Sequence, residues 1–323
     1  MPSQFMFMQK SLLKNNIRKW TADYWSKVEI RSNGATTTLA VATLQKRRIS
    51  RRSDANTLDT TPTTTALIIG STGALGSTIA SYLHEHQRDA NIIGVDFVIP
   101  PLQNKKCLNH FIPLTDRTRT LNSPTTLADL TDQIKSGLET YDNGHPNAIF
   151  DVIICTAGGF IPTVDYSDPN DFINGVENML RQNLYPVIAA SHIAATRLKP
   201  GGLFVCCGAA SALGPTPGML AYGISKNAVH HVIQTLGGLK GELIRSSEIQ
   251  PTVVALLPVM LDTSANRANS PEGTDYSQWI KTEDIAKELC QWISIPDLRP
   301  NSGSLVKVFT HNKSGKAIFR LVR

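Results

Sequence analysis

The chain has 323 residues, of which 41% are hydrophobic and 18% are charged, and it contains 22 Gly and 18 Pro. This length and composition allow a large buried core, and they exclude a wholly disordered chain, a collagen-like fibre and a disulfide-stabilised miniprotein. No apolar run reaches the roughly 18 residues that a membrane-spanning helix requires, so we expect a soluble protein with no membrane partner.

The net charge of +6 is unevenly distributed. Residues 1–60 contain 11 Lys or Arg and four Asp or Glu, a net charge of +7, whereas the rest of the chain contains 21 basic and 22 acidic residues, a net charge of −1. Because the larger part of the chain is nearly neutral, it offers no surface suited to a phosphate backbone, and we expect no nucleic-acid partner.

The first 65 residues differ from the rest. Leu12, Leu13, Ile17 and Trp20 can share one side of a helix with basic residues around them, and a Ser- and Thr-rich stretch follows. This pattern is typical of an organelle transit peptide, although an extension that targets nothing has a similar composition. We therefore predict that residues 1–65 are a basic, largely disordered extension and that the protein is cytoplasmic or mitochondrial.

From Ala66 the sequence alternates short apolar runs with longer amphipathic stretches. The predicted strands are 66–70, 91–96, 110–114, 149–155, 202–208, 252–258 and 304–310. The predicted helices are 75–87, 125–140, 171–198, 222–241 and 282–293. Such alternation predicts an α/β fold with a doubly wound, Rossmann-type parallel sheet and helices on both faces, formed by residues 66–323 as one domain.

The cysteines give no sign of a metal or disulfide framework. Five are present, none in a CxxC pair, and they are Cys107, Cys155, Cys206, Cys207 and Cys290. We predict buried free thiols and no metal site.

A glycine-rich turn joins the first strand to the first helix. Glycines at this place permit a tight turn and close backbone approach to a pyrophosphate, which the positive end of the helix then holds. The residues expected to contact a dinucleotide here are Gly70, Thr72, Gly73, Ala74, Leu75 and Gly76.

The end of the second strand indicates which dinucleotide is bound. Asp96 lies 20 residues after Gly76, where its carboxylate can accept hydrogen bonds from a ribose 2′-hydroxyl and would repel a 2′-phosphate. No Arg or Lys occurs in residues 97–104 to reverse that preference. We predict NADH as the cofactor and NADPH as a weaker alternative; a capping role for Asp96 is the other interpretation.

Two later strand ends fit the same ligand. Asp116 follows the third strand and could face the adenine amino group, or it could simply belong to a turn. Ala157, Gly158 and Gly159 follow the fourth strand, and their small size lets the backbone pass close to a ribose.

The sequence Tyr222-Gly-Ile-Ser-Lys226 supplies a candidate catalytic pair. The i, i+4 spacing places the phenol and the ammonium on one face of a helix. A nearby ammonium stabilises a phenolate, so we expect Lys226 to lower the pKa of Tyr222, which is near 10 in an unperturbed tyrosine. Lys226 could also bind the nicotinamide ribose.

Taken in this order, the motifs resemble the short-chain dehydrogenase/reductase superfamily over residues 66–310. Four segments are more specifically similar to the dihydropteridine reductase family: 157–160, 216–226, 257–267 and 299–304. The resemblance implies an NADH-dependent enzyme that regenerates tetrahydropterin from quinonoid dihydropterin, as part of tetrahydrobiopterin biosynthesis. It also implies a homodimer that associates through the helices predicted at 171–198 and 222–241.

The resemblance also implies roles for single residues. Tyr222 would donate the proton and contact the substrate, and Phe160, where the family commonly has Trp, would stack on the pterin. Asn183 would help to hold a water near Lys226. Pro258 and Thr263 would lie near the nicotinamide carboxamide, although Val259 replaces a usual Gly.

One departure from the superfamily narrows the chemistry. The catalytic Ser usually found about 13 residues before the Tyr is Ala209 here, and Ser211 does not occupy the same place. Carbonyl reduction needs that hydroxyl, whereas an electron-poor quinonoid pterin does not. Two alternatives stay open: a reductase of another conjugated imine or quinone, and a non-catalytic NAD-binding protein.

Two further features of the sequence are interpreted without a catalytic role. His230 and His231 follow Lys226 on the same predicted helix, and we expect them to pack or to contact a second subunit rather than to catalyse. Residues 264–280 are rich in Ser, Asn and Gly and predict a mobile loop over the substrate.

Overall fold

A computed structural model describes residues 64–87, 89–116, 124–142, 149–161, 167–239, 243, 248–311 and 315–322. These residues belong to one compact unit. Nearly all of the extension predicted at 1–65 lies outside the described residues, so its disorder and its targeting role stay predictions, as does the domain boundary.

The strands and helices follow the alternation that the sequence predicts. The strands are β1 (Thr65–Ile69), β2 (Asn91–Asp96), β3 (His110–Pro113), β4 (Phe150–Cys155), β5 (Leu198–Cys207), β6 (Thr252–Pro258), β7 (Leu261–Asp262), β8 (Ile280–Lys281), β9 (Ser304–Thr310) and β10 (Ala317–Leu321). The α-helices are α1 (Ala74–His86), α2 (Leu102–Lys105), α3 (Leu127–Asp142), α4 (Pro169–Met179), α5 (Tyr185–Arg197), α6 (Leu220–Gly238), α7 (Ser264–Ala268) and α8 (Thr282–Ser294).

Eight strands form one sheet in the order β10-β9-β6-β5-β4-β1-β2-β3. All neighbouring pairs are parallel except β9–β10, so the predicted doubly wound parallel sheet is confirmed, with one antiparallel strand added at its edge. The strand order reverses between β1 and β4, where Ile69 is in register with Cys155. Such a reversal opens a crevice at the carboxyl ends of the strands, and ligands of this fold class bind there.

Alternate side chains of the buried strands support helices on both faces of the sheet. In β1, Leu67 and Ile69 belong to one hydrophobic cluster, which includes residues of α3, α5 and α6. Ala66 and Ile68 belong to the other cluster, which includes residues of α1 and α8. This alternation follows from the two-residue period of a strand, and it explains why these strands read as continuous apolar runs.

The helix predicted at 171–198 is interrupted. A π turn, Leu180–Leu184, separates α4 from α5, and the Tyr185 N–H bonds to the carbonyl of Leu180. Pro186 stands in the first turn of α5 and has no N–H to donate to a carbonyl in the preceding turn, which favours this irregularity. The helix also ends earlier than predicted, because Leu198 already pairs with Phe150 of β4.

Two C-terminal features depart from the sequence predictions. Strand β10 was not predicted; it pairs with β9 through a hairpin in which the His311 N–H bonds to the Lys316 carbonyl. The stretch predicted as a mobile loop at 264–280 contains α7 and is bounded by β8, which pairs with β7. Within the described residues, no helix is both long enough and apolar enough to cross a membrane.

The contact of α6 with the turn before β9 generates a stability prediction. A Cβ atom at Gly237 would collide with the Gly303 backbone, whereas one at Gly238 would meet nothing within 4 Å. Backbone cannot yield as a flexible side chain does, so we expect G237A to destabilise the protein by about 1–3 kcal/mol. The matched variant G238A should change stability by less than about 0.5 kcal/mol or raise it slightly, because Ala favours helix.

Denaturant unfolding of both variants measures the two free energies. Equal stabilities for G237A and G238A would contradict the described packing of α6 on this turn.

Candidate functional site

The glycine-rich turn brings two strand ends together at the crevice. Gly70 has a φ of 89°, and a Cβ atom there would lie 2.5 Å from the backbone nitrogen of Ala157. Both conditions require glycine. The hydroxyl of Thr156, just after β4, donates to the Gly70 carbonyl at 3.0 Å and fixes the turn from the other side. The turn after β1 and the segment after β4 are therefore held in direct contact.

The start of α1 has the properties of an anion site. No side chain caps the helix at Gly73, and its first turn contains no acidic residue. Gly73 and Ala74 are exposed there. Gly76 also has to be glycine, because a Cβ atom would collide with the Gly70 carbonyl oxygen. Uncapped N–H groups at the positive end of a helix bind phosphates, so this turn fits the pyrophosphate of a dinucleotide.

Asp96 lies beside this turn at the end of β2. One carboxylate oxygen accepts a hydrogen bond from the Thr72 N–H at 2.9 Å, and the other accepts one from the Phe97 N–H at 2.7 Å. The alternative capping role is thus observed, and each carboxylate oxygen still has lone-pair capacity for a ribose hydroxyl. Asp116 is partly buried after β3, at the same edge of the sheet.

Tyr222 and Lys226 both lie in the first half of α6. The Lys226 ammonium is buried, with 5% of the residue exposed, and its Nζ donates to the carbonyl of Cys207 at 2.9 Å. That Nζ lies 6.0 Å from the centre of the Tyr222 ring. A Cβ atom on Gly158 would be only 3.1 Å from it. The predicted pair and the Gly-Gly segment therefore converge at the carboxyl ends of β4 and β5.

Asn183 links this pair to the Gly-Gly segment. The residue is fully buried in the π turn, and its Oδ1 accepts from the Gly159 N–H at 2.9 Å. Its Nδ2 donates to the hydroxyl of Ser225 at 2.9 Å, and that hydroxyl donates to the Tyr222 carbonyl at 2.8 Å. The alternative interpretation of Asn183 as a solvated helix residue is therefore wrong.

The electrostatics of the pair differ from the prediction. Burial raises the pKa of the Tyr222 phenol above its ordinary value, and Cys207 adds to the increase. Burial likewise lowers the pKa of Lys226, which the neighbouring thiols partly offset. The expectation that Lys226 lowers the pKa of Tyr222 is not met, because desolvation of the buried phenol dominates. The site thus favours a protonated phenol.

Phe160 directly follows the Gly-Gly segment and lies beside Tyr222. The residue is 52% exposed, and its ring contacts the Tyr222 ring edge-on, with centres 5.2 Å apart and an interplanar angle of 85°. An exposed aromatic ring beside a candidate proton donor offers a stacking surface for a flat heterocycle.

Pro258 and Thr263 lie in the segment that joins β6 to α7. Pro258 ends β6, and Thr263 caps α7 by accepting a hydrogen bond from the Asn266 N–H at 3.2 Å. Arg267 of that helix bonds twice to Asp262 and lies over the Tyr276 ring at 4.5 Å. The segment after β6 is therefore ordered by its own contacts.

Sequence reasoning missed three groups of this site. The hydroxyl of Thr156 holds the glycine-rich turn. The hydroxyl of Ser225 holds Asn183, and the carbonyl of Cys207 holds Lys226. Thr156 directly precedes the Ala-Gly-Gly segment and Ser225 lies inside the YxxxK motif, so both stood next to recognised signals. Nothing in the sequence marks a backbone carbonyl as an acceptor for Lys226.

Comparisons with known proteins agree with this geometry. The chain is 34% identical over 247 residues to "Dihydropteridine reductase" of Dictyostelium discoideum, and the match covers 76% of this chain and 95% of that protein. No protein-family model matches the chain.

Solved structures show the same fold. A short-chain dehydrogenase/reductase from Serratia marcescens BCRC 10948 is 17% identical, with a TM-score of 0.57, covering 76% of this chain and 95% of that one. A short chain dehydrogenase from Burkholderia cenocepacia J2315, solved in complex with NADP, is 21% identical with the same TM-score and the same coverages.

The sequence similarity is high enough, and covers enough of the relative, to assign a family, and the sheet order and the YxxxK pair agree with that assignment. The chain belongs to the dihydropteridine reductase family of short-chain dehydrogenases/reductases and is a nicotinamide-dependent oxidoreductase.

Proposed function

We propose that this enzyme reduces a quinonoid dihydropterin to the tetrahydropterin with NADH. The observation that carries the proposal is the exposed Phe160 ring in edge contact with the Tyr222 ring, at the carboxyl edge of the sheet. This arrangement leaves a flat, open surface beside a phenol, which suits a bicyclic heterocycle. The relative named dihydropteridine reductase supports the same substrate class.

Each group of the site has a role in this proposal. When bound at the glycine-rich turn, NADH would supply a hydride to the electron-poor ring of the pterin. Tyr222 donates its phenolic proton to a ring nitrogen and regains a proton from solvent, so that one hydride and one proton are added. The phenol is protonated at neutral pH, the state a donor requires, and burial raises its pKa further above the ordinary value. Lys226 would hold the nicotinamide ribose, and Asn183 keeps the Gly-Gly segment in position through its bond with the Gly159 N–H.

Ala209 favours the pterin over an ordinary carbonyl substrate. Residue 209 is buried and carries no hydroxyl with which to orient a carbonyl oxygen. A quinonoid pterin needs no such group, because its conjugated C=N system already accepts hydride. A simple quinone shares this property, so a rate comparison between the two substrates separates them; faster turnover of the quinone at limiting concentration would overturn the pterin assignment.

We propose NADH as the physiological cofactor. The Asp96 carboxylate is fixed beside the turn by two backbone N–H groups, and it would repel a 2′-phosphate there. The residues that we propose to hold the dinucleotide lie on the glycine-rich turn and the start of α1, at the ends of strands or in the segments that follow them, and, for Asn183, in the π turn. They are Gly70, Thr72, Gly73, Ala74, Leu75, Gly76, Asp96, Asp116, Ala157, Gly158, Gly159, Asn183, Pro258 and Thr263.

We also propose a homodimer that associates through α4, α5 and α6. Ile173 of α4 and Ile224 of α6 are large apolar residues that are 54% and 43% exposed in the single chain. A second copy would cover them. Sedimentation analysis tests the proposal, and a monomer at micromolar concentration would contradict it.

The proton-donor role generates the first functional prediction. The variant Y222F keeps the ring that contacts Phe160 and removes only the hydroxyl, so NADH should bind within about twofold of the parent affinity. We expect kcat for quinonoid dihydropterin to fall by about 10²–10⁴, the usual contribution of a positioned acid. Loss of NADH absorbance under steady-state conditions measures the rate. Equal rates for Y222F and the parent would refute the role of Tyr222.

Asp96 generates a prediction about cofactor choice. We expect the parent to prefer NADH over NADPH by at least about tenfold in kcat/KM, equivalent to about 1.4 kcal/mol. D96N removes the charge and keeps one oxygen for the Thr72 N–H, although it loses the acceptor for the Phe97 N–H, so it should bring the two cofactors close to parity. E85Q removes an exposed negative charge on α1 and serves as the control, so it should keep the parent preference for NADH. An unchanged preference in D96N would contradict the assignment.

A further inference from the structure

His230 is a buried polar residue that neither the proposed chemistry nor the predicted packing role explains. It lies one helical turn beyond Lys226 on α6 and is 3% exposed. Its Nε2 lies 3.1 Å from the backbone nitrogen of Ala209. Because that amide can only donate, Nε2 accepts the bond and carries no proton, which places the proton of the neutral ring on Nδ1.

The imidazole also packs against the residue before Ala209. A Cβ atom on Gly208 would lie only 2.5 Å from the His230 Nε2, so the ring and the Gly208 backbone are in close contact. The hydrogen bond and this contact together fix the chain where it leaves β5. A buried N–H deprived of its acceptor costs free energy, so the position of Ala209 depends on this ring.

His230 is one of three side chains of α6 that hold the same segment. Lys226 donates to the Cys207 carbonyl at 2.9 Å, and Asn227 donates to the Ala212 carbonyl at 3.1 Å. The His230 bond to Ala209 lies between these two. The helix that carries Tyr222 is therefore joined at three points, Cys207, Ala209 and Ala212, to the end of β5 and the segment that follows it.

The bond from the Ala209 N–H to His230 also affects Tyr222 and Lys226, the candidate catalytic pair. Gly208 connects the residue that His230 holds to Cys207, whose carbonyl is the acceptor for the Lys226 ammonium. A shift of Ala209 would move that carbonyl and with it Lys226, which approaches Gly158. The alanine side chain at position 209 can make no polar contact of its own, so only the backbone of this residue is held by hydrogen bonding.

We propose that His230 is a positioning residue for the reductase reaction: it holds the Gly208–Ala209 backbone so that the Cys207 carbonyl keeps Lys226 in place beside Tyr222. The proposal rests on the proposed function for its kinetic consequences. Its structural part, that the His230 acceptor orders residues 207–213, does not.

The test compares two substitutions of His230 in the full-length protein, one with a side-chain hydrogen-bond acceptor and one without. Gln places a side-chain oxygen about where Nε2 lies and can accept the Ala209 N–H, whereas Leu fills a similar volume and cannot. H231Q, at the exposed neighbouring position on the same helix, is the matched control. For each protein, we would measure kcat and KM with quinonoid dihydropterin, the dissociation constant of NADH, and amide hydrogen exchange of residues 207–213.

We expect kcat of H230L to be about tenfold lower than that of the parent, which corresponds to about 1.4 kcal/mol less stabilisation of the transition state. NADH should bind within about twofold of the parent affinity, because the turn after β1 and Asp96 are unaffected. Residues 207–213 should exchange faster. H230Q should recover most of the rate and the protection, and H231Q should match the parent in both.

Two results would overturn the proposal. One is H230L with the parent kcat and the parent exchange rates. The other is an equal loss in H230L and H230Q, because Gln keeps an acceptor for the Ala209 N–H and should then have recovered the rate. If H230L fails to fold, H230N replaces it, since the shorter amide does not reach Ala209, and the same comparison with H230Q applies.

If the parent itself does not reduce the pterin, the proposed function fails, while the exchange comparison still decides whether His230 orders residues 207–213.

Discussion

The site depends on one buried interaction, the hydrogen bond from the Lys226 ammonium to the Cys207 carbonyl. Burial disfavours the charge, and the pKa of Lys226 is lowered accordingly, so the ammonium requires acceptors fixed at short range. The end of β5 provides one. This bond ties α6 to the sheet at the place where Tyr222 must lie, and the strand end and the helix cannot move independently without breaking it.

The second constraint is the close approach of backbones at the reversal of the sheet. The segments after β1 and β4 touch at Gly70 and Ala157, and Gly158 passes beside Asn183 and Lys226. Side chains of ordinary size would separate these segments. The crevice for a dinucleotide and the location of the candidate proton donor are thus consequences of the same packing, which explains why the glycines and the Tyr–Lys pair occur together in one chain.

Much of this arrangement could be predicted from the sequence. Buried parallel strands produce apolar runs, and β2, β6 and β9 agree with their predicted bounds to the residue. The glycine turn and the Tyr222–Lys226 spacing were also visible, because each reflects a local geometric requirement. Strand β10 escaped prediction because it is short and only partly buried, and its pairing with β9 is a tertiary contact.

The remaining features could not be predicted, because they depend on which atoms meet in the folded chain. The π turn that buries Asn183 had a signal in Pro186, but only the fold shows that Asn183 then contacts Gly159. The direction in which the pKa of Tyr222 shifts depends on desolvation of the phenol, and the spacing of residues along a helix does not reveal desolvation. The bond between His230 and Ala209 joins residues 21 positions apart, and nothing local distinguishes His230 from its neighbour His231.

The most direct measurement is a crystal structure of the protein bound to NAD⁺. The account predicts that the nicotinamide ring lies at the carboxyl ends of β4 and β5, with the Tyr222 hydroxyl facing its reactive edge and the Lys226 ammonium within hydrogen-bonding distance of the attached ribose. A nicotinamide bound elsewhere, or a Tyr222 hydroxyl directed away from it, would contradict the account.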